Sequence, residues 1–299
     1  MDMKDIDARL VNTAFVDQIE AGKTATAAVT ATSYVRKYIK EGSFLGKIIT
    51  EQPITADQLD KDENLDLIKK IVEIEPDVDA TWVSFLGMPE SRILRQGSGV
   101  IYFGTIASDK IVKNINQLAT RDNDVRKILE ETQVKKVLEQ QDGRFIETCR
   151  ATAIAAGATQ NFAPAGGMVL TNFVEAMKML TNLRLENASV LMSQSTAMEL
   201  LKWDATDVGF DVTSAHWHNG LTETKIFGVK CIVTAKNNIV QDKEVFFFAP
   251  EDYLGKFFTF RDTKTFIKAE GLYVTFFSYK TLGIGLLNTA GVCRAMFNA

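Results

Sequence analysis

The sequence is poor in the residues from which most active sites are built. Histidine occurs only at His216 and His218, and cysteine only at Cys149, Cys231 and Cys293. Three cysteines, far apart and without a CxxC pair, exclude a disulfide framework and a zinc ribbon. No GxSxG elbow and no HExxH helix occurs. Carboxylates are numerous but scattered, so spacing picks out no acid–base pair. Positive charge is not in excess either: 34 Lys plus Arg stand against 38 Asp plus Glu, a formal net charge of -4. That balance excludes a nucleic-acid binder that works by bulk charge. A long apolar run is also missing. The longest uncharged stretch, 151–174, contains Gly157, Gln160, Asn161, Pro164, Gly166, Gly167 and Asn172, which would leave unsatisfied backbone in lipid. It reads as a helix end followed by a Gly/Pro loop. The opening MDMKDIDARL is too charged for a secretory signal, and a soluble protein with no membrane partner is expected.

What is present is ordinary globular material, with 46% hydrophobic and 24% charged residues. A chain of 299 residues makes one large domain or two small ones and needs no covalent or metal staple. Residues 1–22 are weakly patterned, with Leu10, Val11, Phe15, Val16 and Ile19 as their apolar members. The stretch 24–40 predicts a helix with basic residues near its C-terminus and Gly42 as its stop. Residues 43–66 mix short apolar pieces with Pro53 and an acidic cluster and have no core of their own.

The period then changes to two. IKKIVEIEPDVDATWVSF alternates through Val72, Glu73, Ile74 and Glu75 and again from Val78 to Phe85, and a second strand-like run carries Val100, Tyr102 and Gly104. These runs predict a long two-stranded arm over 67–119, and an isolated arm of that kind requires a partner surface. Residues 122–156 give the strongest helix signal, with Val134, Leu138, Phe145, Cys149 and Ala153 at helical spacing, Asp122 or Asp124 as N-cap and Gly143 as a possible bend. Further expectations are a helix over 168–185 on Phe173, Met177 and Leu180, a buried strand over 188–193, and a helix opened by a capping box of Thr196 and Glu199. A long polar loop covers 204–224. From 226 onward the chain reads as strands: IFGVKCIVT, EVFFFAP, LGKFFTF, LYVTFFSY and LGIGLL. The fold class is α+β.

Several motifs resemble chemistry without its requirements. AGKT at 21–24 is similar to the end of a phosphate-binding loop, but Asp17 stands where the first glycine belongs and no strand precedes it. Gly97, Gly99 and Gly104 miss dinucleotide spacing because Tyr102 occupies the third glycine's place, and they read as a turn leading into a strand. His216 and His218, flanking Trp217, have only Asp211 and Glu223 as nearby carboxylates, too few for a zinc site. Asn187-Ala188-Ser189 fits a glycosylation sequon, which has no meaning without secretion. The aromatic runs at 246–248 and 257–258 lack interleaved basic residues and read as core or interface strands. No catalytic, cofactor-binding or metal-binding residue is assigned.

The order of the pieces resembles the major capsid proteins of tailed bacteriophages, the Hong Kong 97-type fold. The closest likeness in pattern is KIFGVKCIVTAKNNIVQDKEVFFFAPEDYLGKF, an apolar strand, a polar turn, an apolar strand and an acidic-aromatic opening. SYKTLGIGLLNTAGVCRAMF is similar to the family's terminal strands. The resemblance implies an N-terminal arm at 1–45, a connector at 46–66 and an extended β-hairpin loop at 67–119. It further implies a peripheral domain with a spine helix at 120–160 and 249–283, and an axial domain at 161–248 and 284–299.

It implies a structural protein without enzymatic activity or cofactor, self-assembling into pentamers and hexamers of an icosahedral shell around double-stranded DNA in a virion assembled in the host cytoplasm. Its partners would be itself, a scaffolding protein, a portal and a decoration protein, with the DNA contacted non-specifically. Some members cross-link through a lysine on the extended loop. Lys69, Lys70, Lys110 and Lys113 lie there, and no surrounding motif singles one out. The alternatives are an encapsulin-type nanocompartment shell, and a cytosolic α+β enzyme with a site around His216 and His218. The loop 204–224 is expected at the capsomer axis.

Overall fold

The structure, a computed structural model, describes residues 16–19, 21–62, 67–74, 97–116, 133–200, 203, 224–226 and 228–297. After a helical turn at 16–19 come α1 (Thr24–Gly42), α2 (Leu45–Ile48), β1 (Glu51–Pro53), β2 (Asp60–Lys61), β3 (Ile68–Ile74), β4 (Gly97–Ala107) and β5 (Ile111–Asn114). Then follow α3 (Lys135–Ala156), β6 (Asn161–Phe162), α4 (Leu170–Asn182), β7 (Ser189–Ser193) and α5 (Gln194–Glu199). The last elements are β8 (Thr224–Ile226), β9 (Val229–Thr234), β10 (Glu244–Phe248), β11 (Gly255–Glu270), β12 (Tyr273–Leu286) and β13 (Val292–Met296).

Among the described residues these strands make two sheets. The six-stranded sheet runs β6-β13-β10-β7-β9-β8, and both β7 and β10 are buried along their whole length. Alternation along β10 divides its aromatic run between two cores. Phe247 meets Phe173 of α4 at 5.5 Å between ring centroids, while Phe248 stacks on Phe145 of α3 at 5.7 Å. Cover on both faces is why these strands read as unbroken apolar runs.

The seven-stranded sheet runs β1-β11-β12-β4-β3-β2, with β5 paired to the same edge of β12 beyond β4. Its centre is the long antiparallel pair β11–β12, where Val274, Phe276, Ser278 and Lys280 of β12 point inward and Tyr273, Thr275, Phe277 and Tyr279 point out. The strand pieces LGKFFTF, LYVTFFSY and LGIGLL therefore merge into two long strands. β12 crosses the boundary expected at 283/284, and the passage to the other sheet falls at 287–291. Helix α3 joins the two sheets. Its buried residues Val137, Leu138, Phe145, Ile146 and Cys149 share one cluster with Phe246 and Phe248 of β10 and with Phe257, Phe276 and Leu282 of the long pair. At 22 residues it spans about 33 Å, and Gly143 does not interrupt it. The stretch 122–132 lies outside the described residues.

Several expectations change. Where they are described, residues 1–45, which the resemblance makes an arm, pack on the body of the chain. Val16, Ile19, Ala27, Ala31, Val35, Phe44 and Leu45 all join the main core, and α1 lays its alanine face on β11. Small residues allow that close approach, which a search for large apolar side chains passes over. The connector likewise buries Ile48, Ile49 and Ile54, and β1 pairs in parallel with β11. The cap of α5 is Ser193, whose hydroxyl accepts from the Thr196 N–H at 3.2 Å, so the helix opens directly on the end of β7. The helix expected over 168–185 is the shorter α4. Gly97, Gly99 and Gly104 lie inside β4 and not in a turn before it.

Candidate interaction surfaces

The AGKT segment is a turn followed by the first turn of α1, preceded by helix and not by a strand. His216, Trp217 and His218, with the loop 204–224, lie outside the described residues apart from Thr224 in β8. Among the described residues no group of three or more His, Cys, Asp or Glu could hold a metal, and no helix is long and apolar enough to cross a membrane. All three cysteines are unpaired and buried. Burial pushes the thiols of Cys231 and Cys293 up to about 12, and that of Cys149 well above its ordinary value, so none is nucleophilic. Asn187 donates its side-chain amide to the Met177 carbonyl at 3.0 Å, a structural use.

Two buried polar joints hold the sheets to α3. Glu244 at the start of β10 takes Arg150 of α3 at 2.7 Å and Arg294 of β13 at 2.6 Å. Burial pushes this carboxyl up, but the hydrogen bonds from Arg150, Arg294 and the Gln241 N–H outweigh it and hold the group below its usual range. The second joint centres on Asp142, which accepts from the Ser43 hydroxyl at 2.7 Å and from Lys236, beyond β9, at 2.5 Å. It continues through Gln141 to the buried Lys280 at 3.2 Å, then to Glu51 at 2.9 Å and Thr259 at 2.5 Å. Ser43, Gln141, Lys280, Glu51 and Thr259 line a cavity of about 420 Å³, but each is engaged in holding elements together. Sequence reasoning missed both joints because the partners lie 50 or more positions apart along the chain. One local sign existed: Asp142 falls on the same helical stripe as Leu138, Phe145 and Cys149, where a charge is out of place.

The remaining chemistry is exposed apolar surface. In the β3–β4 ribbon Lys69 faces Tyr102, Ile71 faces Val100 and Glu73 faces Ser98. Ile71, Val100 and Tyr102 are exposed on that face, and Ile68 and Ile74 on the other. The ribbon is held at its root by Asp62, which takes Lys69 at 3.1 Å and the Tyr102 hydroxyl at 3.4 Å. Lys69 is thereby engaged, and Lys110 lies over the Phe277 ring at 5.7 Å. A second patch covers the open face of the long pair, where Phe266 and Phe277 lie 5.0 Å apart and Tyr279 stacks on Phe277 at 6.2 Å, with Leu272 and Tyr273 exposed at the turn.

No protein-family model and no curated protein matches the sequence. Solved structures do match. One from Microbacterium phage Oxtober96 aligns at a TM-score of 0.57 and 13% identity, over 85% of this chain and 91% of that one. The mature capsid of bacteriophage PhiM1 aligns at 0.54 and 10% identity, over 85% and 86%. A virus-like particle from Pyrococcus furiosus aligns at 0.50 and 12% identity, over 89% and 97%. The chain has the fold of phage capsid proteins.

Proposed function

We propose that this chain is the major capsid subunit of a tailed bacteriophage, assembling with copies of itself into a closed shell around double-stranded DNA. The observation that carries this reading is the β3–β4 ribbon, whose apolar residues are exposed on both faces although it springs from a body with a finished core. A ribbon of that kind is marginal alone and gains stability by lying on another surface. In this reading the six-stranded sheet is the axial domain, the long pair with α3 the peripheral domain and spine, and the ribbon the extended loop. The loop 204–224 would face the axis of the pentamers and hexamers. A scaffolding protein, a portal and a decoration protein are the expected partners, and no enzymatic step is assigned. The nanocompartment alternative is not favoured, since the solved structures similar to this chain include phage capsids.

The test is sedimentation and electron microscopy of the purified protein, with and without candidate scaffolds. Hollow icosahedral particles or rings are expected, and particles from infected cells should contain DNA. A chain that stays monomeric under every condition would overturn the reading, and protein cargo in place of DNA would move it to the nanocompartment class.

A further inference from the structure

The ribbon leaves the body at one crossing. Strand β4 pairs with β12 from Ala107, opposite Tyr279, to Phe103, opposite Gly283, and then passes to β3 from Tyr102 onward. Strand β12 continues to Leu286 alongside β11. Over the stretch of β12 that β4 has left lies Ile101, which is 1% exposed. A Cβ on Gly285 would stand 2.5 Å from Ile101 Cγ1 and 2.7 Å from Cδ1, and one on Gly283 would stand 3.1 Å from Ile101 Cγ2 and 3.2 Å from the Phe103 ring. Neither glycine has a positive φ, so backbone freedom does not explain them. What they supply is missing volume. Ile101 fills a hole that two absent side chains leave, at the point where the ribbon's direction is decided.

We infer that Gly283 and Gly285 form a seat for Ile101 that sets the angle of the ribbon to the body, and through that angle the size of the assembled shell. The second half rests on the capsid reading above, and the first does not. The seven residues of β3 make a lever of about 23 Å, so a tilt of about 10° at the seat moves the far end by about 4 Å. Close-packed contacts with a neighbour do not absorb such a shift, so the angle between subunits has to change instead.

The experiment places spin labels on Ser98→Cys, exposed on the ribbon, and Lys178→Cys, exposed on α4, in the otherwise native chain, whose own buried thiols do not react. Pulsed electron paramagnetic resonance on unassembled subunits then reads the distance. Gly285→Ala should shift the mean distance by several ångströms. Adding Ile101→Ala, whose Cβ lies 3.5 Å from the new methyl, should return it. Shell diameter by microscopy should follow the same pattern, changed in the single variant and restored in the pair. An unchanged distance in Gly285→Ala, or a shifted one that Ile101→Ala does not return, overturns the seat. If Gly285→Ala does not fold, Ile101→Ala alone should broaden the distance distribution about twofold, and an unchanged width overturns the seat equally. Should the distances behave as stated while shell diameter stays constant, the seat stands and its control of size is overturned. If the native protein forms no shell at all, the capsid reading fails while the label distances still decide the seat.

Discussion

The six-stranded sheet has α4 on one face and α3 on the other, and its central strands show no alternation because water reaches neither side. Among the described residues the long pair of the seven-stranded sheet packs one face on α1 and α3, and its strands alternate accordingly before the sheet thins into a two-stranded ribbon. One lobe is thus complete within the chain, and the other is left unfinished on the side where its aromatics and the ribbon's isoleucines are exposed. Stability and association are in this way assigned to different surfaces, and substitutions should separate them.

The largest expected effect lies in the closed lobe. Phe247→Ala removes the ring packed on Phe173 and should cost about 3–5 kcal/mol in denaturant unfolding of the subunit; a loss under 1 kcal/mol would mean that this core is loosely packed. Next comes the joint to α3. Glu244→Ala leaves Arg150 and Arg294 without their shared carboxylate and should cost about 3 kcal/mol, since removing one member of a buried ion cluster strands the others.

The same group predicts an acid limit. Its carboxyl is held below the ordinary value in the folded chain, so its contribution is complete above the unfolded carboxylate range and is lost as pH falls through the folded value. Thermal stability of the native subunit should therefore fall more steeply below about pH 4.5 than that of Glu244→Gln, and parallel curves would remove Glu244 from the account. The smallest effect on folding belongs to the open lobe. Ile71→Ser with Val100→Ser should change subunit stability by no more than about 0.5 kcal/mol while abolishing shells. Normal shells from that pair would show that the ribbon is not an interface.

Much of this division was legible in the sequence. The apolar runs ASVLMS and EVFFF announced a buried strand and a core or interface strand, and the alternation through Val72, Glu73 and Ile74 announced a ribbon. The helix with Phe145 and Cys149 on one stripe was equally plain. What stayed hidden depends on partners distant along the chain. That β11 and β12 are single long strands follows from their mutual pairing, which bridges weakly patterned residues such as 261–264. The alanine face of α1 carried too little apolar volume to mark it as core. Glu244 looked like an ordinary carboxylate before a strand until Arg150 and Arg294 converged on it. The seat at Gly283 and Gly285 was invisible as well, because glycine in a strand reads only as weakness until the side chain filling its space is known.

The place of β13 also bears on how such a chain comes off the ribosome. This strand is made after every strand it joins, yet it lies between β6 and β10, with Phe297 packed against Phe173 and the Gln160 amide donating to the carbonyls of Thr289 and Val292. Until residues 292–297 emerge, β10 presents a bare apolar edge, a template on which a neighbouring nascent chain can pair. Folding of that lobe therefore waits for β13, and the interval between making β10 and making β13 is when the lobe is most exposed to misassembly.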